Sequence, residues 1–469
     1  MADISARKRI WGWWWFDWAS QPYHTLLVTF VFGPFFAVVA AAWFVGTGLD
    51  ERTADAEAQA LWSLALTVTG LIIGFGGPIM GAMADSSGRR RPWILGFSLM
   101  YVVGSGALWL TDPNGTNTWT MLAFFGIGFI GAEFALIFVN AQLPGLVPEE
   151  DVGKVSGSGF AFGYLGGLAA LLIMLLVFVE QDDGKTLIGL DPGFGLLDAD
   201  AREGARAVGP FTALWFVFFM IPYVMWVRDR PTGDRISFGA ALGIIAKALK
   251  SVVKKRSLGA YLLSSMFYRD ALNGLYGFGG VYAALVLDWP IELVGMFGIV
   301  ALISSALFAW VGGKIDSAIG PKPVIIGAIL ALTGVVVVVL FMNREMIFGI
   351  PLPADFMGWD EFLGVEMPEG SRLPDVVFFA CGVLIGGMGG ALQSASRSMM
   401  VRHADPAAPT ESFGLYGLSG RATAFMAPAL IGLVTTTTGS ARIGVSPLIG
   451  LFLLGLILLI WVKPGGEKG

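Results

Sequence analysis

One cysteine, Cys381, and two histidines give this 469-residue chain no disulfide of its own. They leave too few ligands for zinc, haem or an iron–sulfur cluster, so neither a metal nor a cofactor is expected. Charge is equally scarce. Asp, Glu, Lys and Arg make up 14% of the residues, against about 25% in soluble domains. A net charge of −5 without a long basic tract excludes nucleic acid as a partner. No Gly-x-x-x-x-Gly-Lys-Ser/Thr segment, His-Glu-x-x-His pair, Ser/His/Asp set or paired-aspartate pattern stands out, so no ATP-driven step and no enzyme is expected. What fills the space is apolar: 55% of residues, a mean hydropathy of +0.71, 16 Trp and 35 Phe. Such a chain has the lipid bilayer as its partner.

A spanning helix takes about 20 mostly apolar residues. Twelve runs qualify: 10–44, 60–83, 93–111, 118–142, 154–179 and 209–227, then 257–287, 292–313, 323–342, 375–400, 412–437 and 445–463. The first follows Arg7, Lys8 and Arg9 but carries Asp17 and no small-residue cleavage site, so it reads as a retained helix rather than a signal peptide. Most of the 30 basic residues fall in alternate connections, Arg397 and Arg402 among them. The positive-inside rule then places both termini in the cytoplasm. The expected fold is an all-α membrane protein of two six-helix bundles, 1–227 and 257–469. A cytoplasmic linker, 228–256, joins them, and its stretch 236–255 has the spacing of a basic amphipathic helix lying at the interface.

The two halves echo each other. Asp17 is followed six residues later by Tyr23, and Asp270 six later by Tyr276. Gly81-x-x-x-Asp85-x-x-Gly88 with Arg91-Pro92 has a partner in Gly312-x-x-x-Asp316-x-x-x-Gly320 with Lys322-Pro323. Pro148-Glu-Glu-Asp-Val-Gly and Pro409-Thr-Glu-Ser-Phe-Gly follow in the same order. Duplicated halves are how transporters alternate access around a central site.

Gly81-Ala-Met-Ala-Asp85-Ser-Ser-Gly88-Arg89-Arg90-Arg91-Pro92 resembles the loop 2–3 motif of the major facilitator superfamily. Glycines there let helix ends approach, and an aspartate near a helix end can hold an arginine or a neighbouring helix's positive end. Gly81, Asp85, Gly88, Arg89, Arg90, Arg91 and the second-half Asp316 therefore read as a gating motif. Trp15-Phe16-Asp17-Trp18-Ala19-Ser20-Gln21-Pro22-Tyr23, Asn140-Ala-Gln-Leu-Pro144 and Val155-Ser-Gly-Ser-Gly resemble the Atg22-like (UMF1) branch. So do Gly390-Ala-Leu-Gln393-Ser-Ala-Ser-Arg397 and Phe413-Gly-Leu-Tyr416. Phe16 and Gln21-Pro22 depart from that branch's usual residues. The resemblance implies a transporter of small polar solutes, amino acids or small peptides above all, with helices 1, 4, 7 and 10 lining the path.

Asp17, Glu133, Arg269, Asp270 and Arg421 lie inside spanning runs, where an unpaired charge costs about 2.5–3.5 kcal/mol or more. With Gln21, Tyr23, His24, Asn140, Tyr164, Asn273, Tyr276 and Gln393 they form the candidate substrate or proton pathway. Adjacent helical residues diverge, so Arg269 is expected to pair across helices with Asp17 or Glu133. Asp270 is then the candidate proton carrier. The expected protein is a monomeric secondary active or facilitative transporter, with H+ as a candidate co-substrate, in a bacterial plasma membrane or, in a eukaryote, a vacuolar one. The alternative is a non-transporting sensor or membrane-complex assembly factor on the same fold.

Overall fold

The computed structural model describes residues 4–181, 184–228, 239–240, 243, 255–353, 361–362 and 365–466. The amphipathic stretch 236–255 lies almost wholly outside them. Eleven helices among the described residues are long and apolar enough to cross a membrane. Together with Arg256–Val286, whose 31 residues are interrupted by Arg269, Asp270 and Asn273, they coincide with the runs read from the sequence. The chain falls into two compact units. One comprises Met1–Leu146, Phe162–Leu242 and Pro406–Gly414; the other, Val147–Ala161, Gly243–Asp405 and Leu415–Gly469. Each is described separately.

In the first unit the opening run is not one straight helix. Helix α1 (Ala6–Pro22) gives way to a π-helical segment, Tyr23–Phe30, and α2 (Phe32–Gly46) starts beyond a non-helical Val31. Pro22 is the cause. It has no N–H to offer the carbonyl four residues back, and that Trp18 carbonyl accepts the indole N–H of Trp215 instead, at 3.3 Å. Helix α3 (Glu51–Ser87) is capped by Asp50, whose carboxylate accepts the Thr53 N–H, and ends at Gly88 with φ 62°. A left-handed C-terminal residue favours glycine. Pro92 then opens α4 (Arg91–Ala107), and α5 (Thr118–Asn140) crosses α4 so closely that Gly104 lies against the Gly128 backbone. Helix α6 (Val152–Ile173) enters this unit at Phe162, and α7 (Glu203–Arg206), α8 (Val208–Phe219) and α9 (Ile221–Trp226) complete it.

The second unit contains α10 (Arg256–Val286), α11 (Ile291–Ile319), α12 (Pro321–Leu340) and α13 (Leu373–His403). Its last run breaks into α14 (Pro409–Ala422) and α15 (Met426–Thr438), followed by α16 (Ala441–Gly444) and α17 (Pro447–Leu458). Glycines set its tightest contact: Gly386 and Gly390 of α13 lie against the Ala301 and Ser305 carbonyls of α11, and Ser305 Oγ donates to the Gly386 carbonyl at 2.8 Å. Between α12 and α13, Asp375 accepts from Trp289 Nε1 at 2.6 Å and pairs with Arg344 at 2.8 Å. Two short antiparallel ribbons sit in the same connection, Met346–Ile347 with Ile350–Pro351 and Glu361–Phe362 with Val365–Glu366.

Candidate functional site

The gating loop is built as its residue types require. Gly88 reverses the chain, which brings Arg90 back onto Asp85 in the last turn of α3. Arg90 Nη2 and Nε donate to Asp85 Oδ1 at 2.8 and 3.2 Å. The same oxygen accepts the Thr410 hydroxyl at 2.5 Å, and Oδ2 accepts the Glu411 N–H at 2.8 Å. Glu411 is the third residue of α14, whose first amides have no intrahelical partner. Asp85 thus caps a helix 325 residues away in sequence while neutralising Arg90. Gly81 permits the approach: a side-chain carbon there would lie 2.8 Å from the Thr410 carbonyl. Arg91 donates to the Val224 carbonyl at the end of α9, at 2.9 Å, and Arg89 is exposed.

The matching position in the second unit is wired differently. Asp316, near the end of α11, presses on Gly153, where a Cβ would lie 2.5 Å from its carboxyl carbon. Neither of its oxygens meets a hydrogen-bond partner, and Arg402 stands 3.9 Å off, also near Glu149. The third amide of α6, that of Lys154, is taken by the next residue, Ser317, at 2.8 Å. Deeper in the same contact lies a group that sequence reasoning had assigned to a cytoplasmic connection. Arg397 is 2% exposed. Its Nε donates to Ser156 Oγ at 2.9 Å and its Nη2 to the Ser156 carbonyl at 2.7 Å, with the guanidinium 4.1 Å over the Phe160 ring. Both segments were visible as motifs; that one buries the other's arginine was not.

The pathway residues separate into packed and half-open positions. In the first unit, Asp17 is buried against Gly163, and Gln21 lies against Gly167. Tyr23 turns into the aromatic core, where its hydroxyl donates to the Phe125 carbonyl at 2.6 Å, so it is a packing residue rather than a lining one. Tyr164 is buried as well. The π-helical turn after Pro22 sends His24 the other way, its Nε2 3.4 Å from Glu133 of α5. Asn140 is half-buried two turns further along α5.

In the second unit Arg269, expected to pair with Asp17 or Glu133, engages Tyr416 of its own unit. Nη1 donates to the Tyr416 carbonyl at 3.1 Å, and the guanidinium stacks 4.3 Å above the ring. Arg269 also fills the space beside Gly420, and Arg421 follows at the end of α14. Asn273 and Tyr276 are exposed on the same face of α10, and Tyr276 leans its hydroxyl onto Gly389. Gln393 is the one half-buried residue in 389–400 of α13. Asp270 points elsewhere: it is 1% exposed, and its Oδ2 accepts the Ala427 N–H of α15 at 3.0 Å. No group of three or more His, Cys, Asp and Glu among the described residues is arranged to hold a metal.

Paired, half-buried polar residues on long apolar helices, and a loop carboxylate gripping a distant helix start, define a membrane transport protein. Solved structures agree on the fold, which is that of the major facilitator superfamily. The human organic anion transporter MFSD10 superposes with a TM-score of 0.68 at 15% identity, covering 97% of this chain and 100% of its own. FucP in its outward conformation gives 0.64 at 12%, covering 97% and 99%. The family model described as "Vacuole effluxer Atg22 like" matches residues 5–465, and the chain belongs to that family. A Bacillus subtilis protein described as an uncharacterized MFS-type transporter, YxiO, is 24% identical over 459 residues, 96% of this chain and 94% of its own. Autophagy-related protein 22 of Botryotinia fuckeliana is 24% identical over 341 residues. The chain spans 45% of that fungal relative's length. The protein is thus a multi-pass membrane protein, an MFS-type transporter of the Atg22 type.

Proposed function

We propose that the protein is a gradient-driven secondary transporter moving a small polar solute, amino acids or small peptides above all, by alternating access. The moving parts are the six-helix halves 1–227 and 257–469, with both termini in the cytoplasm of a bacterial cell. The observation that carries this reading is the Asp85 cluster. One carboxylate holds Arg90, Thr410 and the Glu411 amide, joining the loop after the second span to the start of the eleventh through polar contacts that can form and break. A static scaffold has no need of a charged cap at that position. The half-buried His24–Glu133 pair and the Arg269–Tyr416 pair supply charge of both signs for a zwitterionic solute. The effluxer description of the family supports the substrate class.

The test is reconstitution into liposomes with a panel of labelled amino acids and dipeptides, with and without a pH gradient. Wild-type vesicles are expected to exchange at least one of them. Asp85→Asn vesicles are expected to bind it and to lose flux. Equal flux in Asp85→Asn would overturn the gate, and binding without flux in the wild type would favour a sensor.

A further inference from the structure

Helix α15 starts in mid-membrane after the turn at 423–425, so its first amides need partners. They can be followed one at a time. The Met426 N–H goes to the Thr423 carbonyl at 2.7 Å, Pro428 has none, and the Ala429 N–H goes to the Phe425 carbonyl at 3.0 Å. That leaves Ala427, whose N–H is taken by Asp270 Oδ2 of α10. The other oxygen, Oδ1, is buried with no hydrogen-bond partner, and so is the hydroxyl of Thr423 in the turn itself.

No cation balances this carboxyl. Helices α15 and α17, which pack on this side of α10, carry no ionisable side chain. Arg269 reaches Tyr416, and the charge of Arg442 on α16 acts on Tyr282. On α13, Arg397 is held by Ser156, His403 by Ser257, and Asp375 by Trp289 and Arg344. On α11, Lys314 stacks on Trp310 and Asp316 faces Gly153. Arg421 lies on α14, before the turn. The contact is also close: one turn along α10, Gly274 leaves room for the Ala427 methyl, 2.8 Å from where a Cβ would stand.

We infer that Asp270 is the coupling residue of the transport cycle, taking up one proton at Oδ1 and reporting its charge to the first turn of α15 through Oδ2. This rests on the transport reading above. Proton uptake converts the carboxylate to a neutral acid, and release restores the charge. Negative charge at a helix N-terminus is favourable, so the ionised form holds the Ala427 amide and the start of α15 more tightly than the neutral form. The proton thereby sets how firmly the break in the eleventh span is clamped to the seventh. Asp85 does the same capping from outside the bilayer core, but with Arg90 beside it; Asp270 has no such counter-ion.

The test uses the full chain in proteoliposomes and detergent, with Asp270→Asn, whose amide oxygen can still accept the Ala427 N–H. Infrared difference spectra between acid and alkaline buffer are expected to show a carboxylic-acid carbonyl band in the wild type that Asp270→Asn loses. Hydrogen exchange in the 423–430 peptides, corrected for the intrinsic rate, is expected to vary with pH in the wild type and not in the variant. With whichever labelled amino acid or dipeptide of the panel the wild type moves, Asp270→Asn is expected to lose accumulation under a pH gradient and keep counterflow exchange. An unchanged infrared band together with unchanged accumulation overturns the inference. If no solute is moved by the wild type, the transport reading fails while infrared and exchange still decide whether Asp270 titrates. Should Asp270→Asn prove unstable, Gly274→Ala, which wedges α15 from α10, is expected to shift the 423–430 exchange without removing the band. A lost band in Gly274→Ala would assign it to another carboxyl.

Discussion

The ends of α3 and α11 carry the same motif, Gly-x-x-x-Asp followed by glycine and a basic residue with proline, yet their aspartates are used in opposite ways. Both helix ends meet the third amide of another helix's first turn. In the first unit Asp85 takes that amide itself, and its second oxygen holds Arg90 and Thr410. In the second unit Ser317 takes it, one residue further on, and Asp316 is left pressed against Gly153 with no hydrogen bond. The difference teaches that a repeated motif preserves a packing geometry before it preserves a chemistry. A glycine pair brings the helices together at both sites, while one residue of offset decides whether a charge or a hydroxyl caps the helix.

The sharpest way to break the comparison is to neutralise both carboxyls. Asp85→Asn keeps the shape but weakens bonds to a charged acceptor, each worth about 1.5–3 kcal/mol. A clear drop in the thermal unfolding midpoint is expected, with flux lost. In Asp316→Asn a buried charge without hydrogen bonds disappears, so the midpoint is expected to hold or rise. A drop in Asp316→Asn equal to that in Asp85→Asn would remove the distinction.

The glycines give the next largest effect. Gly81→Ala meets the Thr410 and Glu411 backbone, which cannot turn away, whereas Gly153→Ala meets the Asp316 side chain. Purified Gly81→Ala is expected to stay destabilised against any single second change. The Gly153→Ala defect is expected to be relieved by Asp316→Gly, measured as recovery of the unfolding midpoint in the double variant.

Smaller still is the cap itself. Ser317→Ala is expected to cost about 0.5–2 kcal/mol, as cap removals do. Ser86→Ala, the corresponding change beside Asp85, is expected to cost less, because Ser86 Oγ bonds only its own helix at Met83. Denaturant or thermal melts of the two variants, compared side by side, decide this.

A carboxyl outside the spans extends the comparison to a titration. Burial pushes Glu180 above its ordinary value of 4.5, against the opposing pull of the Ala205 N–H at 3.1 Å and Arg202 at 3.4 Å. A raised value means that the folded loop holds its proton more tightly than the open one. The closed form is therefore expected to lose stability as pH rises from about 4.5 through the raised value, and to level off above it. Hydrogen exchange at Ala205 and its neighbours should accelerate over that window, and Glu180→Gln should remove the dependence.

Much of this was legible in the residues. Apolar run length fixed the spans, because a bilayer admits few alternatives to helices of about 20 residues. Gly88, Arg90 and Asp85 are close in sequence, so their mutual geometry followed from local rules for helix ends. Pro22 announced a disturbance, though not that it would be a π-helical turn separating Tyr23 from His24. Partners far apart in sequence were not legible. Asp85 with Glu411, Arg397 with Ser156, Asp270 with Ala427 and Arg269 with Tyr416 each join segments that no periodicity relates, and Arg397 looked like one more cytoplasmic arginine. The sequence by itself determined a helical membrane chain with a duplicated plan and a charged loop able to cap a helix. The tertiary structure alone decided which charge caps which helix, because an unpaired amide or carboxyl in a low-dielectric interior takes whichever partner packing brings within 3 Å, and packing is a property of the whole fold.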